Sequence, residues 1–360
     1  MSLAQPKRIL IIKLRHHGDV LLSTPVVDAL KTRFPDCEID MLVYAGTGQL
    51  IADNPQIAQI FTIDRNWKKL GVFKQLACEK NLFSKLKARD YDWAFNLSDQ
   101  WRAAVIAKLC ARCSVGFDCI KRDGFWWRFC HDFINHELDT SHHIVENQLN
   151  ILAPLIQPED VADAKVRLWV AQDARESMRQ KLREQGWNGE DYVLLHPGAR
   201  WHFKCWEDGK NAAIVQLLLN SGQNVVLTAS HNTVEQYMLQ EIIGRLNIPE
   251  GRKVYVLSGC LSLRELAAAI EGAKLFVGVD SAPMHIAAAL DKPQIALFGA
   301  SWVDKWRPYS EQAEVIYAGD YAELPHPDSI DTNDPTRLLK AIPLQDVWDK
   351  ISAKLEALEA

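Results

Sequence analysis

Two stretches of this chain put chemically capable side chains where a strand gives way to a helix. In the second half, Asp280, Ser281, Ala282, Pro283 and His285 follow the apolar run 275–279. Pro283 suits a first helical turn, which has no use for its missing N–H, and Met284, Ile286, Ala287 and Leu290 then recur at helical spacing. The free backbone N–H groups at the start of this helix and its positive dipole end suit a phosphate there, with Asp280 and His285 close enough to hold a sugar. The plain alternative is a capping Asp-Ser pair and a core histidine. In the first half, the strand at 8–12 leads into Lys13-Leu14-Arg15-His16-His17-Gly18-Asp19, so Asp19 opens a helix at the carboxyl edge of the first sheet, where a tight turn brings it close to a ligand. A dinucleotide cradle would need G-x-G-x-x-G at this turn, and Gly18 alone does not supply it.

Other candidates lie on loops that follow strands. Lys204 comes after the strand 192–196, which ends at His196, and would be a point-charge partner for a diphosphate. Glu235 falls in the first turn of a helix after a strand, where a carboxylate can hold a ribose hydroxyl or simply favour the helix dipole. Arg65, Lys68, Arg102 and Arg122 recur with Trp101, Phe125 and Trp126 on loops of the first half. As a group they suggest an anionic, membrane-associated acceptor, since Arg and Lys contact phosphate and Trp favours an interface. Asp90-Tyr91-Asp92 has a D-x-D form but enters a strand, which predicts a solvated loop on the opposite edge. Cys110, Cys113, Cys119 and Cys130 lack the second C-x-x-C of a zinc ribbon, so no metal is expected.

The elements that must position these groups are strands alternating with helices, the pattern of an α/β fold with parallel sheets. The chain of 360 residues, 48% hydrophobic, is long enough for two cores. The expected division is a Rossmann-like domain at 1–160, which carries Asp19, and a second at 161–342, which carries the phosphate cradle; the resemblance given below makes the first the acceptor-binding and the second the donor-binding domain. A terminal helix at 343–360 carries an apolar stripe that has to pack on one of them, the first being the candidate surface. A net charge of −5 argues against a nucleic-acid partner held by bulk positive charge. No apolar run reaches the length of a membrane span, no signal-peptide pattern opens the chain, and eight scattered cysteines suit reduced thiols. The expectation is a cytoplasmic protein; the lipid-anchored acceptor that the resemblance given below implies would place it peripherally at the inner face of the inner membrane.

Lys13 to Asp19, the His196-Pro197-Gly198-Ala199 turn with Lys204 and Trp206, the run Gly278 to Ala287 and Leu297-Phe298-Gly299 together resemble the lipopolysaccharide core heptosyltransferases of glycosyltransferase family 9. The His-His form of the first turn is most similar to the heptosyltransferase III type, which adds a branch heptose to the inner core. The resemblance implies a GT-B fold, with two Rossmann-like domains facing across a cleft, and an inverting, metal-independent transfer needing no cofactor. The donor would be ADP-L-glycero-D-manno-heptose and the acceptor the lipid-anchored inner core of lipopolysaccharide. It further implies Asp19 as general base and Lys204 as the neutraliser of the leaving diphosphate. His196, Ser281, Ala282, Asp280, His285 and Glu235 would meet the donor, and Arg65, Lys68, Arg102 and Arg122 the acceptor. Glu235 follows Ala229-Ser230-His231-Asn232 where the family has a Gly-containing turn. A nucleotide-sugar epimerase or hydrolase on the same plan would use the donor cradle without a large acceptor, and a non-catalytic binder would make Asp19 dispensable.

Overall fold

In the computed structural model, which describes residues 5–118, 122–161 and 163–359, the chain divides into two units, Met1–Trp169 and Val170–Ala360. The division falls beyond residue 160 because the segment there is strapped to the first unit. Asp28 accepts from the Lys165 N–H at 3.1 Å and pairs with Arg167 at 2.7 Å, and the Thr24 hydroxyl accepts from the Arg167 N–H at 2.9 Å.

The first unit is a six-stranded parallel sheet of β1 (Arg8–Lys13), β2 (Glu38–Tyr44), β3 (Gln59–Ile63), β4 (Tyr91–Asn96), β5 (Ala111–Asp118) and β6 (Phe133–His136). Its order is β3-β2-β1-β4-β5-β6. Ile9 to Ile12 are fully buried, as a central strand covered on both faces requires. The helices are α1 (His17–Leu21), α2 (Thr24–Arg33), α3 (Val72–Ala88), α4 (Trp101–Cys110), α5 (Phe125–Phe129) and α6 (Ile144–Asn150). The apolar stripe after Asp19 predicts one helix, whereas the chain makes two. Pro25 brings no N–H to the ladder, and the hydroxyls of Ser23 and Thr24 donate back to the carbonyls of Val20 and Leu21 at 2.6 and 2.9 Å. The Asp90-Tyr91-Asp92 triplet does enter β4, but it is more than a solvated loop. Arg112 bridges both carboxylates, at 2.5 and 2.8 Å, and Asp92 also accepts from the Lys7 N–H at 2.7 Å.

The second unit has the same topology. Its strands are β7 (Tyr192–His196), β8 (Asn224–Ala229), β9 (Val254–Ser258), β10 (Leu275–Val279), β11 (Gln294–Phe298) and β12 (Ala313–Tyr317), in the order β12-β11-β10-β7-β8-β9 and all parallel. Its helices are α7 (Gln172–Arg183), α8 (Asp208–Asn220), α9 (Thr233–Ile243), α10 (Leu263–Glu271), α11 (Ala282–Ala289), α12 (Val303–Trp306) and α13 (Leu344–Glu359). The stripe on α13 is taken up within this unit, where Val347, Ile351 and Leu355 join the core formed by β7, β8, β10 and α8. In both sheets the strand order reverses beside the first strand, at β1/β4 and at β7/β10, and a parallel sheet opens its ligand crevice there.

In the first unit the two loops at that point are tied together from below. The Ser98 hydroxyl accepts from the Leu14 N–H at 2.7 Å, the Gln100 side-chain amide donates to the Leu14 carbonyl at 2.8 Å, and the Lys13 ammonium donates to the Leu97 carbonyl at 3.2 Å. Lys13 is 5% exposed, and burial, only partly offset by Asp19, lowers its pKa to about 8. Between about pH 8 and the usual lysine value the unfolded chain therefore binds the extra proton, so this group's contribution makes stability rise with pH across that window. Lys13→Met removes the buried charge. Chemical denaturation should find it more stable than the parent at pH 7, by roughly 1–3 kcal/mol, with the difference shrinking towards pH 10. A variant no more stable at pH 7 than at pH 10 relative to the parent would contradict the buried charge.

Candidate functional site

Asp280 follows β10 directly and turns its side chain inward, with only 6% of the residue exposed. Lys204 reaches it from the loop after β7, Nζ to Oδ2 at 2.5 Å. Burial alone would raise the Asp280 carboxyl, but the Lys204 charge and hydrogen bond outweigh it. With help from the Ser301 hydroxyl and nearby His285, they hold the carboxyl below the usual carboxylate value. Helix α11 starts two residues on. Ser281 precedes it in extended conformation and donates its hydroxyl to the Val279 carbonyl at 3.1 Å. The first-turn N–H groups of a helix have no partner within it, and those of Ser281 and Ala282 lie beside the Lys204–Asp280 pair in the chain. His285 is buried one turn further on.

The Lys204 loop is anchored by a residue far away in the sequence. Arg337 forms a two-pronged pair with Asp208 at 2.7 and 2.9 Å, donates to the Trp206 carbonyl at 2.8 Å and donates to His202 Nε2 at 2.9 Å. Burial, with the Arg337 charge, lowers the His202 pKa, which favours the neutral ring that can accept this bond. Trp206 is fully buried and its indole donates to the Ile342 carbonyl at 3.3 Å. Lys204 also lies over the Trp201 ring, 5.2 Å from its centre.

His196 and Glu235 form a second buried group. The His196 ring meets the Thr228 hydroxyl at 2.9 Å and has Glu235 Oε2 at 3.8 Å from its other nitrogen. Burial lowers the His196 pKa, against the opposing pull of Glu235. The same Glu235 oxygen accepts from the Ser230 N–H at 2.9 Å, so this carboxylate pins the turn after β8. It passes so close to Gly198 that a Cβ there would lie 2.8 Å from Glu235 Cγ, which explains the glycine in the His196–Ala199 turn.

In the first unit, Asp19 is half-buried in α1 and its carboxylate accepts from the His16 N–H at 3.3 Å. Beside this loop lies a pocket of about 290 Å³ lined by Leu14, Arg15, His16, Tyr44, Arg65, Lys68, Gln100 and Arg102. Three of the expected acceptor residues, Arg65, Lys68 and Arg102, thus meet in one place. Arg65 lies 4.0 Å over the Tyr44 ring, Arg102 pairs with Glu79 at 2.7 Å, and Arg15 pairs with Asp99 at 2.8 Å. Arg122 does not line the pocket. It donates to the Asp99 carbonyl at 2.8 Å and lies over Trp101. Four cations around one open pocket can bind a phosphorylated or otherwise anionic group.

The spacing of residues did not single out Arg15, Tyr44, Gln100, Ser301 or Arg337. Arg15 sits inside the Lys13–Asp19 stretch and was within reach, whereas Tyr44, Ser301 and Arg337 are joined to their sites only by the fold. Among the described residues no three of His, Cys, Asp and Glu gather as a metal site, and Cys110, Cys113 and Cys130 are free thiols. Lys121 and Cys119 lie outside the described residues. Among the described residues no helix is long and apolar enough to cross a membrane.

Residues 80–336 match the model of glycosyltransferase family 9 (heptosyltransferase). The chain is 37% identical over 335 residues to lipopolysaccharide heptosyltransferase 3 of Escherichia coli, covering 93% of this chain and 95% of that one. Two solved structures have the same fold at low identity. The glycosyltransferase family 9 protein of Veillonella parvula superposes with a TM-score of 0.83 at 21% identity, over 99% of both chains. The E. coli ADP-heptose lipopolysaccharide heptosyltransferase II does so at 0.76 and 22%, over 98% of this chain and all of that one. The two Rossmann-like units are therefore those of the GT-B fold. The chain belongs to glycosyltransferase family 9, the heptosyltransferases, and is a glycosyltransferase.

Proposed function

We propose that this enzyme transfers L-glycero-D-manno-heptose from its ADP derivative to the inner core of lipopolysaccharide, as the branch heptose III, with inversion and without a metal. The observation that carries the reading is the buried Lys204–Asp280 pair at the start of α11, combined with 37% identity to a relative named lipopolysaccharide heptosyltransferase 3. The ADP-heptose donor is the family's expectation, and the name of the structurally similar heptosyltransferase II, which includes ADP-heptose, is in keeping with it. The acceptor is carried on a lipid, so the enzyme works peripherally at the cytoplasmic face of the membrane.

In this mechanism the acceptor hydroxyl attacks the anomeric carbon as the bond from that carbon to the diphosphate oxygen breaks. Asp19 takes the hydroxyl proton, and ADP leaves with the bonding electron pair. Lys204 and the N–H groups of Ser281 and Ala282 meet the charge growing on the diphosphate, the task a divalent cation would otherwise perform. Asp280 and His285 hold the heptose. His196 and Glu235 support the donor side by shaping the turns around it. Arg65, Lys68 and Arg102, with Arg122 at the margin, hold the anionic acceptor in the first-unit pocket.

Transfer from ADP-heptose to truncated core acceptors, followed by ADP release and acceptor mass, tests the proposal. The parent should add one heptose. Asp19→Ala should bind ADP-heptose normally yet lose transfer by about a hundredfold or more. Normal transfer by that variant, or no ADP release from the parent with any heptose-bearing acceptor, refutes the mechanism.

Arg337 is a positioning residue for Lys204. Arg337→Ala should lower kcat/KM about tenfold, with a rise in the donor KM and an unchanged acceptor KM, and Arg337→Lys should recover part of the loss. Equal changes in both KM values would mean that the substitution damages the fold at large.

A further inference from the structure

The first unit exposes an unusual amount of large apolar surface on three helices that touch one another. On α5, Phe125, Trp126 and Phe129 are 73%, 69% and 63% exposed and pack mutually, with ring centres 5.4 to 6.4 Å apart. On α3, Phe73 is 89% exposed, flanked by Val72 and Leu76. On α4, Val105 and Leu109 face outward as well. The helices are joined by the Glu79–Arg102 pair between α3 and α4, and by the edge-on contact of Trp101 with Trp127 between α4 and α5, at 5.5 Å. An apolar surface of this extent marks a contact with something outside the fold.

The charges around it narrow the choice of partner. The chain as a whole is net negative, yet residues 65–89 hold eight Lys or Arg and a single carboxylate, Glu79, which is spoken for by Arg102. Lys68, Lys69, Lys74 and Lys80 are exposed along α3 and the turn before it. Outward aromatic side chains among lysines match a bilayer surface, where rings sit at the headgroup level and ammonium groups meet lipid phosphates. A protein partner burying the same face would leave these lysines to be neutralised one by one.

We propose that the exposed face of α3, α4 and α5 is a docking surface for anionic lipid, into which Phe73, Phe125, Trp126 and Phe129 insert. Choosing a lipid over other partners rests on the functional reading above, whereas the patch itself does not. The face borders the cationic pocket through Lys68 and Arg102, so a lipid-anchored acceptor would present its sugar directly to that pocket.

The test is sedimentation of the full chain with vesicles of phosphatidylcholine alone or mixed with phosphatidylglycerol, at about 0.1 M salt. The parent should bind the anionic vesicles and release at high salt. Phe125→Ser/Trp126→Ser/Phe129→Ser should weaken that binding about tenfold or more. Phe73→Ser, on a separate helix, should weaken it alone, and both variants should keep the parent's transfer rate on a delipidated core oligosaccharide. Undiminished vesicle binding by both variants, or no preference of the parent for anionic vesicles, overturns the proposal. So does a parent dimer in size-exclusion chromatography that both variants dissociate, since the face would then join two copies. A parent that binds vesicles but transfers to no acceptor keeps the lipid surface and refutes the functional reading instead.

Discussion

A carboxylate buried to the extent of Asp280 needs a cation, and much of the second unit's site follows from that need. Lys204 supplies it from the loop after β7, so the pair fastens the ends of two neighbouring strands across the point where the sheet order reverses. The loop has few residues of regular structure to hold it. Its position depends on Arg337, which grips Asp208, the Trp206 carbonyl and His202 together. An ammonium has three donors and Asp280 Oδ2 uses one of them, which leaves Lys204 able to face an incoming diphosphate without abandoning its partner. A lysine pre-paired in this way is held in place before the ligand arrives, and so loses less side-chain freedom on binding.

The first unit is built on the opposite imbalance. Around its pocket Arg15 and Arg102 have carboxylate partners, but Arg65 rests on an aromatic face and the cations outnumber the anions. Like charges gathered at an open rim repel one another only weakly in water, and an arriving anion turns that repulsion into binding. Asp19 sits beside these cations and is aimed by a backbone N–H rather than by a basic side chain.

Central strands were legible in the sequence because burial on both faces leaves a continuous apolar run, as in Arg8–Lys13 and Leu275–Val279. Two of the four edge strands were not. Phe133–His136 is four residues long with two polar ones, and Ala313–Tyr317 has only Ile316 buried, so neither carries the run that betrays a strand. The turns at the switch points were readable from Asp19, Lys204 and Asp280 because each lies in the segment that follows such a run. Glu235 shows the limit. Its place in a first helical turn suggests a ribose contact, and the fold adds Gly198 and His196 against it and engages its Oε2 with Ser230. Neither approach leaves a trace in local spacing.

The helix Phe125–Phe129 separates what a fold requires from what it merely tolerates. Its five residues include four aromatic rings, and only Trp127 turns inward, where its indole donates to the Phe117 carbonyl at 2.8 Å and its ring packs on Trp101 and His131. That anchor and the Arg128–Asp118 ion pair at 2.7 Å hold the helix against β5. Phe125, Trp126 and Phe129 add nothing to the interior, and in water each exposed ring forgoes the burial that would stabilise it by about 1.5–3 kcal/mol. A polar residue at each position would hold the same helix on the same anchor. The folded chain does not need these rings, and the interaction that does need them has to lie outside it.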